Sequence, residues 1–199
     1  MISIWDLPKT VEIFDKTYKI RDNCDYRVML DVNEALSDNE ETQEYRLHCA
    51  MVIFYENYRE MPDPLTANTA EQVMFIQEAV NKITEILRLG EPAENETEKN
   101  KPKLMDWNKD FHLIAPAVNR VLGYDVRDPD KYTHWYTLVG AFGEIGDCYF
   151  AQIMNVRKKK LTGKKLDEQD RQFYKEHKKD IDLPIELSAE AKEWLDGDW

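Results

Sequence analysis

Apolar residues recur three and four positions apart along most of this chain, and that period dictates helices. The clearest run is Val73, Ile76, Val80, Ile83 and Leu87. It puts one apolar stripe on a helix over about Thr69–Leu89, with Gly90 as its stop. Upstream, Asp22 or Asn23 is placed to cap a helix running to about Leu36. A second helix is expected from about Glu40 to Tyr58, its acidic start suited to the positive end of a helix dipole. Pro62 and Pro64 then break the chain. In the second half the same reasoning predicts helices over Asp106–Leu122, kinked at Pro116, then Tyr132–Ile145, Asp147–Leu161 and Asp167–Lys179. A last short one is expected over Ser188–Leu195. The exception comes early. Thr10–Phe14 and Thr17–Ile20 are β-branched and aromatic around Asp15-Lys16, which reads as a hairpin. The expected fold is mainly α, a helical bundle or bundles with a small amino-terminal β-hairpin.

One stretch fits no element. Residues 91–104 are polar and include Pro92 and Pro102, the composition of a linker. They divide the chain into an amino-terminal part, 1–90, with hairpin and helices, and a carboxyl-terminal helical part, 105–199. Charge is uneven between the two: residues 1–90 carry 17 acidic and 9 basic side chains. Over the 199 residues there are 39 acidic against 27 basic groups, a net charge of −12. That balance argues against broad affinity for nucleic acid or anionic membrane. The start, Met1-Ile2-Ser3-Ile4-Trp5-Asp6, has neither the basic head nor the apolar core of a signal peptide. An intracellular protein is therefore expected, as is one without a membrane span.

The spacings that carry chemistry are missing. His48, His112, His134 and His177 all stand more than four residues apart, and Cys24, Cys49 and Cys148 form no Cys-x-x-Cys pair. Asp125, Asp128 and Asp130 lack the glycine and final glutamate of a calcium loop. Ser3, Ser37 and Ser188 lie outside any Gly-x-Ser-x-Gly. Gly140, Gly143 and Gly146 repeat every third residue, which reads as a bare helix face for close packing followed by a stop, not a phosphate loop. No catalytic residue, metal or cofactor is expected.

Two features suit a partner. Arg157, Lys158, Lys159, Lys160, Lys164 and Lys165 put six cations within nine residues with no acid between them. This is a solvated helix end neutralised by later acids, a docking surface for an acidic protein partner, or a set of phosphate contacts for nucleic acid. Trp135, Tyr136, Phe142, Tyr149 and Phe150 are dense aromatics at helical spacing, read as core or as a partner surface. The candidate partner-binding residues are Trp135, Tyr136, Phe142, Phe150, Arg157 and Lys158.

Three segments carry a family likeness. Asp106-Trp-Asn-Lys-Asp110-Phe-His-Leu-Ile, His134-Trp135-Tyr136-Thr-Leu-Val-Gly-Ala-Phe142 and Phe150-Ala-Gln-Ile153-Met-Asn-Val-Arg157 resemble the bacteriophage gene-product-fifteen family. Gln172-Phe173-Tyr174-Lys175 and the opening Leu7-Pro8-x-Thr10-Val11 with Tyr18-x-Ile20 extend the likeness over most of the chain. Val156 before Arg157 and Pro116 depart from the pattern. The resemblance implies a gene between the major tail protein and the tape-measure protein of long-tailed phages of Gram-positive bacteria. It implies a tail-assembly chaperone of a phage or prophage that coats the tape-measure protein in the host cytoplasm and is absent from the mature virion. The major tail protein is a second expected partner, and self-association a third. The alternative is a structural tail or neck subunit retained in the particle. The family supplies no catalytic residue to transfer.

Overall fold

A computed structural model describes residues 6–90 and 104–182. They form a two-stranded antiparallel hairpin and eight α-helices, the mainly α architecture expected. The contacts divide them into two compact units. The first comprises residues 6–90 and 107–146, the second residues 104–106 and 147–182. This division differs from the one expected at the polar stretch, because two helices after that stretch pack with the first ninety residues. Residues 91–103 and the helix expected over Ser188–Leu195 lie outside the described residues.

In the first unit, β1 (Thr10–Ile13) pairs with β2 (Lys16–Lys19), Val11 opposite Tyr18. The turn is Phe14-Asp15, one residue earlier than read from sequence, with Phe14 at φ +52° in the place glycine or asparagine usually takes. Val11, Ile13 and Tyr18 are buried, as a half-buried strand pair requires. Tyr18 meets Tyr55 and Phe75 edge-on, at ring-centroid distances of 6.1 and 5.8 Å.

Asp22, Asn23 and Cys24 follow at φ +47°, +52° and +65°. They make one left-handed turn closed by bonds from Cys24 N to Arg21 O and from Asp25 N to Asp22 O. That turn delays α1 (Tyr26–Ser37), so its cap is Asp25, accepting from Arg27 N at 3.0 Å, and not Asp22 or Asn23. Helix α2 (Gln43–Phe54) starts on Thr42 and is shorter at both ends than expected. Beyond it the chain extends at Tyr55, which bridges Ile20, before a short 3-10 turn at Tyr58–Glu60. Helix α3 (Ala70–Leu87) has a capping box between Thr69 and Gln72. Its buried stripe is Ile76, Ala79, Ile83 and Ile86, so Val73, read as part of the stripe, lies outside it.

Helix α4 (Trp107–Leu122) runs through Pro116, which is exposed. The ladder bond lost there lies on an exposed side of the helix, since both Pro116 and His112 four residues before it are exposed. Helix α5 (Trp135–Gly143) is tied to the start of α1 by two backbone bonds of 2.9 Å, Trp135 N to Cys24 O and Tyr26 N to Thr133 O. Tyr26 stacks on Phe111 of α4 and donates from its hydroxyl to Val126 O at 2.9 Å. Arg27 donates to the carbonyls of Val126, Asp128 and Lys131. These long-range ties are why α4 and α5 belong with the amino-terminal helices. Gly140 and Gly143 do not serve close packing: a Cβ on either would meet nothing within 4 Å.

The second unit is α6 (Tyr149–Leu161), α7 (Glu168–Glu176) and α8 (Lys178–Ile181). Phe150, Ile153 and Val156 make the buried face of α6. The helix expected over Asp167–Lys179 is interrupted at His177, where α7 ends and α8 begins.

Candidate functional site

Of the six residues selected from sequence, Trp135, Phe150 and Arg157 are buried. Trp135, at the start of α5, is 3% exposed, and its indole N–H donates to Leu87 O at 3.3 Å. Trp107 lies against it, ring centroids 5.5 Å apart, and against Phe142 at 5.1 Å. Tyr136 and Phe142 are half-buried. Phe150 is core. The aromatic helices therefore fill the interior of their own units. Burial raises the Tyr136 phenol well above its ordinary range.

Half of the basic run is engaged within its own unit, and Lys158, Lys164 and Lys165 are exposed. Arg157 is buried, 4% exposed, and its guanidinium donates to Ile181 O at 2.9 Å, to Leu104 O at 3.0 Å and to Asp180 O. It gathers the end of α8 and the segment before α4 onto α6. Lys159 pairs with Asp170 at 2.5 Å and with Asp167 at 3.6 Å. Lys160 pairs with Asp182 and lies 4.0 Å from the centre of the Tyr174 ring. Of the six candidates only Lys158 is exposed. Later acids therefore neutralise Lys159 and Lys160 of the stretch.

Polar chemistry elsewhere is structural. His134 caps α5 by accepting from Tyr136 N at Nδ1, 3.0 Å away, and its Nε2 lies 2.9 Å from Pro8 O. The ring is therefore neutral with its proton on Nε2, and burial holds its pKa below the ordinary value against the opposing pull of the Pro8 carbonyl. His48 Nδ1 lies 2.9 Å from both Asp63 and Tyr58 Oη, which ties the 58–65 loop to α2. In the second unit the Tyr149 hydroxyl donates to Asp180 at 2.7 Å and sits 2.9 Å from His177 Nδ1. Desolvation pushes that phenol up to about 12, and the bond to the Asp180 carboxylate adds to the rise. Among the described residues no three His, Cys, Asp or Glu side chains converge as a metal site.

Two surfaces missed by sequence reasoning remain. The first is apolar. Phe14, 61% exposed at the hairpin turn, packs tilted against Phe75 of α3, and Val73 and Met74 in the same helical turn are 56% and 63% exposed. Adjacent apolar residues at 73, 74, 75 and 76 were the available signal, since four in a row cannot all face one core. The second is a cleft of about 350 Å³ between α1 and α2. Asp31, Glu34 and Asp38 line its α1 side, and Tyr45, Arg46, Cys49 and Ile53 of α2 line the other, with Glu41 before α2 also at the rim. The Arg46 Nε is buried and has no acceptor. Burial alone raises the Asp31 carboxyl above its ordinary range. The first surface is apolar, and the second combines apolar side chains with charge.

A family model described as "Bacteriophage Gp15 protein" matches residues 4–183. No curated protein matches the chain, and no solved structure matches it. Among the described residues no helix is long and apolar enough to cross a membrane.

Proposed function

The chain belongs to the bacteriophage Gp15 family, and from that premise we propose that it is a non-enzymatic tail-assembly chaperone that covers the tape-measure protein until the tail tube replaces it. A tape-measure protein is a long helical chain whose apolar stripes aggregate unless covered. The observation that carries the reading is the exposed group Phe14, Val73 and Met74, beside Phe75, on a unit rich in carboxylates. An apolar contact holds a stripe of the partner, while net negative charge keeps the covered complex dispersed. Exposed side chains of this kind suit a role ending in displacement, because many modest contacts can be peeled away where one deep anchor cannot. The reading places the protein in the host cytoplasm during assembly.

The test is co-expression with the tape-measure protein of the same phage, comparing its soluble yield with no partner, with this chain, and with the Phe14→Ser/Met74→Ser variant. The expected result is co-purification, a higher soluble yield with the unaltered chain, and a lower one with the variant. An insoluble tape-measure protein with nothing co-eluting removes the chaperone reading. Stoichiometric recovery of this chain from purified particles would replace it with the retained tail or neck subunit.

A further inference from the structure

The cleft between α1 and α2 has two rails of different chemistry. Asp31 and Glu34 on α1 and Asp38 at its carboxyl cap follow at intervals of three and four, a row about 10 Å long. On α2, Tyr45, Cys49 and Ile53 follow at intervals of four and make a parallel apolar row. The acidic row sits where negative charge is least welcome. Glu34 and Asp38 lie at the carboxyl end of α1, the negative end of its dipole, and the last turn holds no basic residue. Neither these two nor Asp31 is in an ion pair within the described residues. Arg46, the one cation lining the cleft, pairs with none of them and keeps a buried N–H without an acceptor. Carboxylates without counterions, an apolar strip and an unused donor are together what an interface lacks before its partner arrives.

We propose that this cleft docks a basic amphipathic helix of a partner protein. Lysine or arginine side chains at three- and four-residue spacing would face Asp31, Glu34 and Asp38. Apolar side chains on the adjacent edge would cover Tyr45, Cys49 and Ile53, and a polar acceptor on the incoming helix would meet Arg46. Two neighbouring helices make a natural groove for a third. Charge selects the partner's sign: each cation docked here relieves both the mutual repulsion of the row and the unfavourable end of the dipole. The inference stands whether or not the partner is the tape-measure protein.

The test uses the full chain and a fluorescently labelled helical peptide of about 18 residues, with lysines on one edge and leucines on the next. Anisotropy should report saturable binding that weakens as salt rises from about 50 to about 300 mM. Asp31→Asn/Glu34→Gln/Asp38→Asn should weaken it roughly tenfold, and Tyr45→Ser several-fold. The control Asp130→Asn/Glu144→Gln/Asp147→Asn removes the same charge elsewhere and should change affinity less than about twofold. A peptide of the same composition with its lysines spread around the helix should bind several-fold more weakly. Equal losses in both triple variants would reduce the effect to net charge and overturn the proposal, as would equal binding of the two peptides. Sedimentation of the protein alone gives a further outcome. Self-association abolished by the first triple variant would make the occupant a second copy, with Lys158, Lys164 and Lys165 as the basic element.

Discussion

Arg21 sits one residue before the left-handed turn, and its side chain reaches the end of a helix more than thirty residues away. Nε donates to Ile53 O at 2.9 Å; Nη2 donates to Val52 O at 2.9 Å and to Tyr55 O at 3.1 Å. The last carbonyls of a helix have no donor within the helix, and positive charge is favoured there. One guanidinium therefore serves three acceptors at the close of α2. Because Arg21 is only half-buried, water recovers part of what each bond supplies, leaving about 1 kcal/mol per bond and about 3 kcal/mol for Arg21→Ala. For a chain of this length each kcal/mol is worth about 2–4 °C, so the midpoint should fall by about 6–12 °C. Arg21→Lys keeps the charge at the dipole but cannot fork to three carbonyls, and should lose about half as much. Arg21→Met keeps the stem and should behave like the alanine variant less its packing loss. Urea titrations followed by far-UV circular dichroism would measure all three. A loss below about 0.5 kcal/mol for Arg21→Ala would refute the capping argument. A lysine variant as stable as the parent would show that dipole charge alone suffices.

Three further perturbations test other parts of the structure. His134 is held neutral, its folded pKa depressed below the ordinary value of about 6.5. Its contribution is therefore present above that pH and lost as pH falls from there through the lower folded pKa, where protonation turns Nδ1 into a donor facing the Tyr136 N–H. Urea stability of the parent should drop across this window relative to His134→Asn, which can cap but does not titrate; parallel pH profiles would exclude the effect. Asn23, exposed at φ +52°, should gain about 0.5 kcal/mol as glycine and lose about 1–2 kcal/mol as valine. A glycine variant less stable than asparagine in thermal unfolding would contradict the left-handed turn. Arg157→Met strips the carbonyls of Leu104, Asp180 and Ile181 of a buried donor and should cost about 3 kcal/mol. Hydrogen exchange should then accelerate over α8 first, and unchanged protection there would refute its anchoring role.

The sequence by itself determined where nearly every described helix lies, because a 3.6-residue apolar period is a local property. It also set the hairpin, through β-branched residues on either side of a short polar break, and the negative charge that the proposed role relies on. Its family likeness was carried by contiguous words such as His134-Trp135-Tyr136, which need no structure to be read. What it left open were matters decided between residues far apart in the chain. Periodicity makes Trp135 apolar-facing without saying that Trp107 and Leu87 enclose it. Val73 fits the stripe of α3 by spacing, yet the core is centred on Ile76, Ala79 and Ile83, and Val73 faces outward. A run of six cations reads as a surface, but tertiary structure turns Arg157 inward to carbonyls and pairs Lys159 and Lys160 with acids further along the chain. Left-handed φ at Asp22, Asn23 and Cys24 carries no glycine signal, and the bonds around it that cross to Thr133 and Trp135 form only when α5 docks. The α1–α2 cleft is of the same kind. Each rail is a legible helical face, but that the two stand side by side, with the acidic row left without counterions, is a consequence of packing.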